Sequence, residues 1–99
     1  MADKKLRWDK MALQQFNKAI EYIAKDSIQN AEKVRIDILE KVENLQAHPE
    51  RYAPDKYKLD NDGSYKAFEL YHLRIVYHVS SEEIRILRLR STFQEPLNY

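Results

Sequence analysis

The sequence predicts an α+β fold of two layers, in which a hairpin of two helices packs on a mainly antiparallel, meandering sheet. Apolar residues recur every three or four positions in the first half of the chain, which is typical of helices. After Gly63 the period changes to two, in segments rich in β-branched and aromatic residues. The element order is therefore β-α-α followed by three or four strands. A chain of 99 residues has room for one modest core, so we expect a single domain over residues 1–99.

The first strand is expected at Leu6-Arg7-Trp8. Asp9 then has the character of a helix N-cap, whose carboxylate accepts from the free N–H groups of the first turn. Trp8 and Leu13 have the spacing of a hydrophobic staple. The buried face of the first helix is predicted to contain Leu13, Phe16, Ile20 and Ile23.

The second helix is expected after a break at Lys25-Asp26-Ser27, where either Asp26 or Ser27 can act as its cap. Its end is predicted near Ala47, because His48 precedes a proline and is disfavoured in the α conformation. The apolar stripe of this helix consists of Ala31, Val34, Ile38, Val42 and Leu45.

The second half of the chain is predicted to form a meander. An Asp62-Gly63 pair follows the apolar positions Tyr57 and Leu59, and Asp-Gly between alternating segments is a strong hairpin signal. A second tight turn is expected at Tyr71-His72. The three strands that follow Gly63 are predicted at Ser64–Leu70, Leu73–Val79 and Ile84–Arg90.

A two-residue turn at Tyr71-His72 fixes which side chains share a face. The face that covers the helices would carry Phe68, Leu70, Leu73, Ile75, Tyr77 and Val79. The open face would carry Tyr65, Ala67, Glu69, Arg74, Val76 and His78. Glu69 lies opposite Arg74, which is consistent either with a cross-strand ion pair or with a ligand-binding arginine.

The register of the last strand stays open at this stage. With a loop over Ser80–Glu83, Val79 faces Ile84, and Arg88 and Arg90 point to the core side. A shift by one residue places Arg88 opposite Arg74 on the open face instead. Two facing arginines attract an anion or carboxylate between them, whereas arginines at a sheet margin can simply extend to solvent.

Composition excludes several classes of function. One glycine cannot supply a Walker loop or a dinucleotide fingerprint, and the absence of cysteine excludes disulfides and thiolate metal sites. His72 and His78 are about 20 Å apart along a strand, too far for one metal. We therefore expect no cofactor and no metal. No secretory signal or membrane-spanning run is visible, which favours the cytoplasm and no membrane partner.

Four blocks of the sequence match a known pattern in order: an opening strand with the first helix, a second helix with its exit, a central hairpin, and a last strand with its tail. The matching segments are Leu6-Arg7-Trp8-Asp9 with the helix that follows, Val34 to Leu45 with His48-Pro49, Gly63-Ser64-Tyr65-Lys66 with Leu73-Arg74-Ile75-Val76-Tyr77, and Ile84 to Arg90 with Glu95-Pro96. Together these blocks resemble the RelE/ParE superfamily of bacterial toxins.

The resemblance implies the RelE-like fold and the toxin of a bacterial type II toxin–antitoxin system, a plasmid stabilisation system of the ParE kind. Such a toxin inhibits growth and is neutralised by a cognate antitoxin. ParE-like members are associated with poisoning of DNA gyrase, whereas RelE-like members cut mRNA on the ribosome. The resemblance is also compatible with a homodimer, and with a decayed relative that is no longer toxic.

For a nuclease, the resemblance implies a site made of Lys66, Arg74, Arg88, Arg90 and Tyr99. Arg74 matches the arginine of the central hairpin, whereas Lys66 stands where an arginine is usual and Ser91 where a histidine is common. From Gly63 to Tyr99 five basic residues face four acidic ones, which is sparse for a protein that tracks RNA. These departures favour a ParE-like toxin that is not an enzyme. Its partner-binding residues are then expected to be Arg74, Arg88, Arg90 and Tyr65.

Overall fold

A computed structural model describes residues 4–99, which form two helices packed on a four-stranded sheet. The elements are β1 (Lys5–Trp8), α1 (Lys10–Asp26), α2 (Ile28–Asn44), β2 (Tyr65–Leu70), β3 (Leu73–Val79) and β4 (Glu83–Ser91). The strand order is β1-β4-β3-β2, with β1 parallel to β4 and the other neighbours antiparallel. The predicted fold class, two helices on a mainly antiparallel sheet, is confirmed.

The helix hairpin contributes one half of the core. The predicted stripe of α2 is confirmed, because all five of its residues are buried. In α1 the prediction is wrong at Leu13, which is 46% exposed, while Ala12 is buried in its place. The indole of Trp8 packs on Phe16, with ring centroids 5.3 Å apart, and this contact fixes a helix phase that turns Leu13 outward. Within residues 4–99 neither helix is long and apolar enough to cross a membrane.

The predicted helix ends are confirmed in part. Ser27 caps α2, because its hydroxyl accepts from the N–H of Asn30 at 3.1 Å. The capping role predicted for the Asp9 carboxylate is wrong, since that group accepts from the guanidinium of Arg85 at 2.7 Å instead. Helix α2 ends at Asn44 rather than near Ala47, and a tightened turn follows it.

The segment between α2 and β2 is a loop, so the hairpin predicted at Asp62-Gly63 is wrong. The side-chain oxygen of Asn61 accepts from the N–H of Gly63 at 2.9 Å, and its amide donates to the carbonyls of Asp55 and Tyr65. These side-chain bonds replace a strand ladder before the turn. Gly63 still adopts a positive φ of 97°, which leads the chain into β2.

The central hairpin confirms the predicted turn and both predicted faces. Leu70 pairs with Leu73 and Glu69 with Arg74 across the turn. Tyr71 and His72 both adopt left-handed conformations, with φ of 54° and 60°, as a type I′ turn requires.

A β-bulge in β4 decides the open register question. Val79 pairs with Ile84, as one alternative predicted, but the pairing shifts between Val76 and Tyr77. The shift leaves one residue of β4 unpaired, and the arginines after it therefore move to the open face. The core-side placement of Arg88 and Arg90 is wrong, and so is the pairing of Arg88 with Arg74. Arg90 lies opposite Arg74, and Arg88 lies opposite Val76.

Deletion of Leu87 is expected to give a folded protein with a regular β3–β4 ladder. Leu87 is the extra residue, because Ile86 pairs with Tyr77 and Arg88 already pairs with Val76. Its removal keeps every other side chain on its present face. Two-dimensional NMR of the deletion variant should show a dispersed spectrum and the same cross-strand contacts. Deletion of Leu89 is the matched control: it moves a charged arginine into a buried position and should prevent folding.

Candidate functional site

Three predicted arginines come together on the open face of the sheet. Arg74 lies on β3, and Arg88 and Arg90 lie on the stretch of β4 that follows the bulge. Their side chains line a small pocket of about 90 Å³. The loop before β2 and the segment after β4 form its remaining walls, with Asp55, Tyr57, Thr92, Gln94, Pro96, Leu97 and Tyr99 among the lining residues.

Arg74 is held by two carboxylates. One guanidinium nitrogen donates to Asp55 at 2.6 Å and the other terminal nitrogen donates to Glu69 at 2.8 Å. The ring of Tyr57 covers the guanidinium, with the centroid 4.9 Å from its central carbon. The predicted cross-strand ion pair therefore exists, and Arg74 is anchored by a second acid that comes from the loop.

Asp55 is the centre of this network. It is only 2% exposed, and the loop fixes its position through a backbone bond of 2.7 Å from its N–H to the carbonyl of Tyr65. Its carboxylate also accepts from the hydroxyl of Tyr99 at 2.7 Å and from the N–H of Tyr57 at 3.1 Å. Burial alone would raise the pKa of Asp55, but these hydrogen bonds and the charge of Arg74 outweigh it and hold the pKa below its ordinary value.

The lowered pKa of Asp55 predicts a loss of stability in acid. The folded protein binds this proton more weakly than the unfolded chain does, so the stabilisation is complete above the ordinary carboxyl pKa of about 4. It should fall as the pH drops through the lower, folded-state pKa. Urea unfolding between pH 6 and pH 2.5 measures this, with Asp55→Asn as the reference protein. The slope between pH 4 and pH 2.5 should be smaller in that variant, and equal slopes would contradict the assignment.

Tyr99 closes the pocket from the side of the chain's last segment. Its N–H donates to the carbonyl of Tyr57 at 3.1 Å, and its carbonyl accepts from the N–H of Leu59 at 2.6 Å. Its ring lies 4.2 Å from the guanidinium carbon of Arg88. Burial and the hydrogen bond to Asp55 raise the pKa of the Tyr99 hydroxyl well above its ordinary range, against a smaller opposite effect of Arg88 and Arg74.

Arg88 and Arg90 differ from Arg74 in their partners. Among residues 4–99, neither guanidinium has a carboxylate within 4.0 Å. The Nε of Arg90 donates to the carbonyl of Glu95 at 2.9 Å, and Arg88 stacks on the ring of Tyr99. The pocket therefore presents two cations whose charges are not balanced by the described part of the chain.

Tyr65 joins this cluster, whereas Lys66 does not. The ring of Tyr65 lies 6.0 Å from that of Tyr99, and Lys58 Nζ lies 4.8 Å from its centroid. Lys66 pairs with Tyr77 on the core side of the sheet, is buried, and donates to Glu50 at 2.9 Å. The structure thus brings together Arg74, Arg88, Arg90, Tyr65 and Tyr99, and it separates Lys66 from them.

A family model describing the ParE toxin of type II toxin–antitoxin systems, parDE, matches residues 6–96. The chain belongs to the ParE toxin family. The toxin–antitoxin assignment and the ParE-like part of the sequence-based resemblance are thereby confirmed. A search of the curated proteins found no match for this ParE-family chain.

Two solved structures share the fold of this ParE-family protein. The first, described as the chromosomal ParDE toxin–antitoxin system from P. aeruginosa, has a TM-score of 0.68 and 22% identity, and the match covers 89% of this chain and 95% of that one. The second is the RelBE2 toxin–antitoxin complex from Mycobacterium tuberculosis, with a TM-score of 0.55 and 17% identity over 92% of this chain and 93% of that one. At these low sequence identities, the similarity to both structures shows a shared fold alone.

Sequence reasoning missed Asp55 and Lys58 in the site of this ParE-family protein. Both lie in the loop before β2, and nothing in their spacing indicates that the loop folds back over the open face of the sheet. Of the histidines, His78 packs on Tyr65 and His72 on Phe93. No group of three potential metal ligands occurs within residues 4–99.

Proposed function

We propose that this ParE-family protein acts as a single cytoplasmic domain that inhibits a DNA gyrase-type target by protein–protein contact, and that a cognate antitoxin neutralises it. The observation that carries the proposal is the hydrogen bond from the Tyr99 hydroxyl to the buried carboxylate of Asp55. The groups near the arginines that could move a proton are already bonded to each other, and the cluster is therefore better suited to binding than to acid–base chemistry.

Metal-free RNA cleavage needs a group that removes a proton from the 2′-hydroxyl and another that protonates the leaving oxygen. The Tyr99 hydroxyl donates to Asp55 and has a raised pKa, so it is a poor acid at neutral pH. Asp55 is buried, accepts three hydrogen bonds and has a lowered pKa, so it is a poor base. Lys66 lies on the other side of the sheet. These positions favour a contact surface.

An antitoxin partner suits the charges of the same pocket. The cations of Arg88 and Arg90 have no carboxylate within 4.0 Å in the described chain, and a partner's Asp or Glu would supply one. Both structural neighbours are described as toxin–antitoxin systems or complexes. Co-expression with the product of the adjacent gene is expected to yield a stable complex. Arg88→Glu should weaken that complex, and its purification unchanged would count against this role of the pocket.

The target is tested with the purified protein in two parallel reactions. In the first, DNA gyrase supercoils relaxed plasmid; in the second, a cell-free system translates a reporter mRNA that is then examined for cuts by primer extension. We expect supercoiling to stop and translation to continue with intact mRNA. Arg88→Ala should weaken the inhibition at least tenfold, whereas Arg35→Ala, an exposed arginine on α2, should leave it unchanged. Arrested translation with cut mRNA and normal supercoiling would refute the proposal.

A RelE-like endoribonuclease is the second candidate, and one observation favours it. The guanidinium of Arg88 stacks beside Tyr99 in a pocket of about 90 Å³, where a phosphate group could bind. This candidate requires that Arg74→Ala or Arg88→Ala abolish the mRNA cuts while the fold stays intact. Expression without growth inhibition, with neither reaction affected, would instead indicate a decayed relative that retains only antitoxin binding.

A further inference from the structure

The open face of the sheet carries positive charge that the described chain does not balance. Among residues 4–99, Arg88 and Arg90 have no carboxylate within 4.0 Å, whereas Arg74 has two. Within the same residues, the buried Nε of Arg74 has no hydrogen-bond partner. Guanidinium groups of this kind bind carboxylates and phosphates strongly. The pocket on this face therefore has room for a further anionic group.

Thr92 lies beside the two unbalanced arginines. It follows Arg90 by two positions and Arg88 by four, and it lines the same pocket as both. Its N–H donates to the carbonyl of His72 at 2.8 Å, so the ladder between β4 and β3 extends to this residue. Two positions along a strand span about 7 Å, and long side chains reach neighbours at that distance. An anionic group on Thr92 would thus lie within reach of the arginines.

The Thr92 hydroxyl is also more available than the hydroxyl next to it. The Ser91 hydroxyl accepts from the N–H of Phe93 at 3.2 Å, and Ser91 is a half-buried residue of β4. Thr92 is exposed, and every residue from there to Asn98 is exposed as well. Exposed segments outside regular structure are the ones that protein-modifying enzymes reach.

The charges before Thr92 indicate which class of enzyme would act on it. Protein kinases select their substrates in part by the charges around the acceptor residue. Arg88 and Arg90 precede the acceptor in the sequence and line the same pocket, so an enzyme that approaches this face meets all three side chains. This pattern fits a serine/threonine kinase that prefers arginine before its acceptor.

We propose that Thr92 is a phosphorylation site, and that its phosphate binds the guanidinium groups of Arg88 and Arg90. The transfer breaks the bond between the γ-phosphorus of ATP and the bridging oxygen, and forms a bond from that phosphorus to the Oγ of Thr92. The hydroxyl proton passes to the kinase, and ADP leaves.

The phosphate neutralises the groups that the proposed function uses for binding. A phosphothreonine carries a charge of about −1.5 to −2 at pH 7 and three acceptor oxygens, which suffices for two guanidinium groups. The hydrogen bond from Arg90 Nε to the carbonyl of Glu95 already holds that guanidinium beside the segment that contains Thr92. This inference rests on the proposed function and adds a means of regulating it, because arginines bound to a phosphate are unavailable to a target or an antitoxin.

The contact is tested on the full chain with phosphothreonine in place of Thr92. Phosphorus-31 NMR should give the phosphate a pKa below its ordinary value of about 6, because the two guanidinium groups favour the dianion. Arg90→Ala should raise that pKa towards 6, whereas Arg35→Ala, an exposed arginine on α2, should leave it unchanged. An ordinary phosphate pKa, or equal effects of the two variants, would overturn the contact.

The regulatory effect is measured in the supercoiling assay and in complex formation with the antitoxin. Phosphothreonine in place of Thr92 should weaken both at least tenfold. Phosphoserine in place of Ser81 is the matched control, since this residue is exposed in the loop at the other end of β4, and it should change neither. Full activity of the protein phosphorylated at Thr92, or equal losses in both proteins, would overturn the regulation.

The modification itself is sought by mass spectrometry of the protein purified from its own host, both from growing and from starved cells. We expect phosphate on Thr92 in at least one of these states, lost in Thr92→Val and retained in Ser91→Ala. Its absence from both states, or phosphate on Ser91 instead, would overturn the proposal. If the unmodified protein does not inhibit gyrase, the proposed target is refuted, while the phosphate pKa and the mass spectra still decide this inference.

Discussion

Asp55→Asn is expected to lower the free energy of unfolding by about 3 kcal/mol. The native carboxylate is buried and compensates the charge of Arg74 while it accepts from Tyr99 and from the N–H of Tyr57. An amide of nearly the same shape removes the negative charge and leaves Arg74 with Glu69 alone. Removal of one partner of a buried pair is costly because the other charge stays desolvated.

Urea unfolding at pH 7 measures the effect, with Asp60→Asn as the matched control. Asp60 lies in the same loop and is exposed, and asparagine tolerates its positive φ of 52°. The control should change the free energy of unfolding by less than about 0.5 kcal/mol. A similar small change in Asp55→Asn would mean that the ion pair contributes nothing net. The variant should also release Tyr99, which would appear as faster amide exchange at Leu59.

The sheet faces were predictable because the chemistry that sets them is local. A two-residue turn at Tyr71-His72 fixes the β2–β3 register, and the strand period of two then assigns every side chain to a face. The stripe of α2 was predictable for the same reason, since its five apolar residues follow one helical period. These features depend on neighbours that are close in sequence.

The β4 bulge lay beyond sequence reasoning because it reconciles two distant requirements. The short loop after β3 requires Val79 to pair with Ile84, and the core requires Leu89 to lie on the buried face of the sheet. A regular ladder can meet only one of these two requirements. One extra residue permits both. Each alternative weighed at the sequence level assumed an unbroken ladder, and each therefore misplaced the arginines in a different way.

The anchor of the candidate site was missed for a related reason. Asp55 reaches Arg74 only because the loop pairs with β2, through the bridge between Pro54 and Lys66 and the bond from Asp55 to Tyr65. Asn61, which directly precedes the Asp62-Gly63 pair, stabilises this arrangement with its side-chain amide. The sequence shows an acid in a loop, but the partner that gives it a role is set by tertiary packing.

Ile38→Ala is expected to cost about 3 kcal/mol or somewhat more of the free energy of unfolding. Ile38 is completely buried in the cluster that joins α2 to the sheet, so truncation removes buried methyl groups and leaves a cavity. The stability of a domain of this size is of the order of 5–15 kcal/mol, so the loss is a large share of it.

Ile28→Ala is the control for that substitution, because it makes the same chemical change on the same helix at a side chain that is 74% exposed. It should alter the free energy of unfolding by less than about 0.5 kcal/mol. Equal effects of the two variants would contradict the placement of the core. A partner that binds only the folded state raises the apparent stability of each variant by the same mass-action term. The difference between Ile38→Ala and Ile28→Ala should therefore persist in the complex with the antitoxin, unless the antitoxin itself covers Ile28.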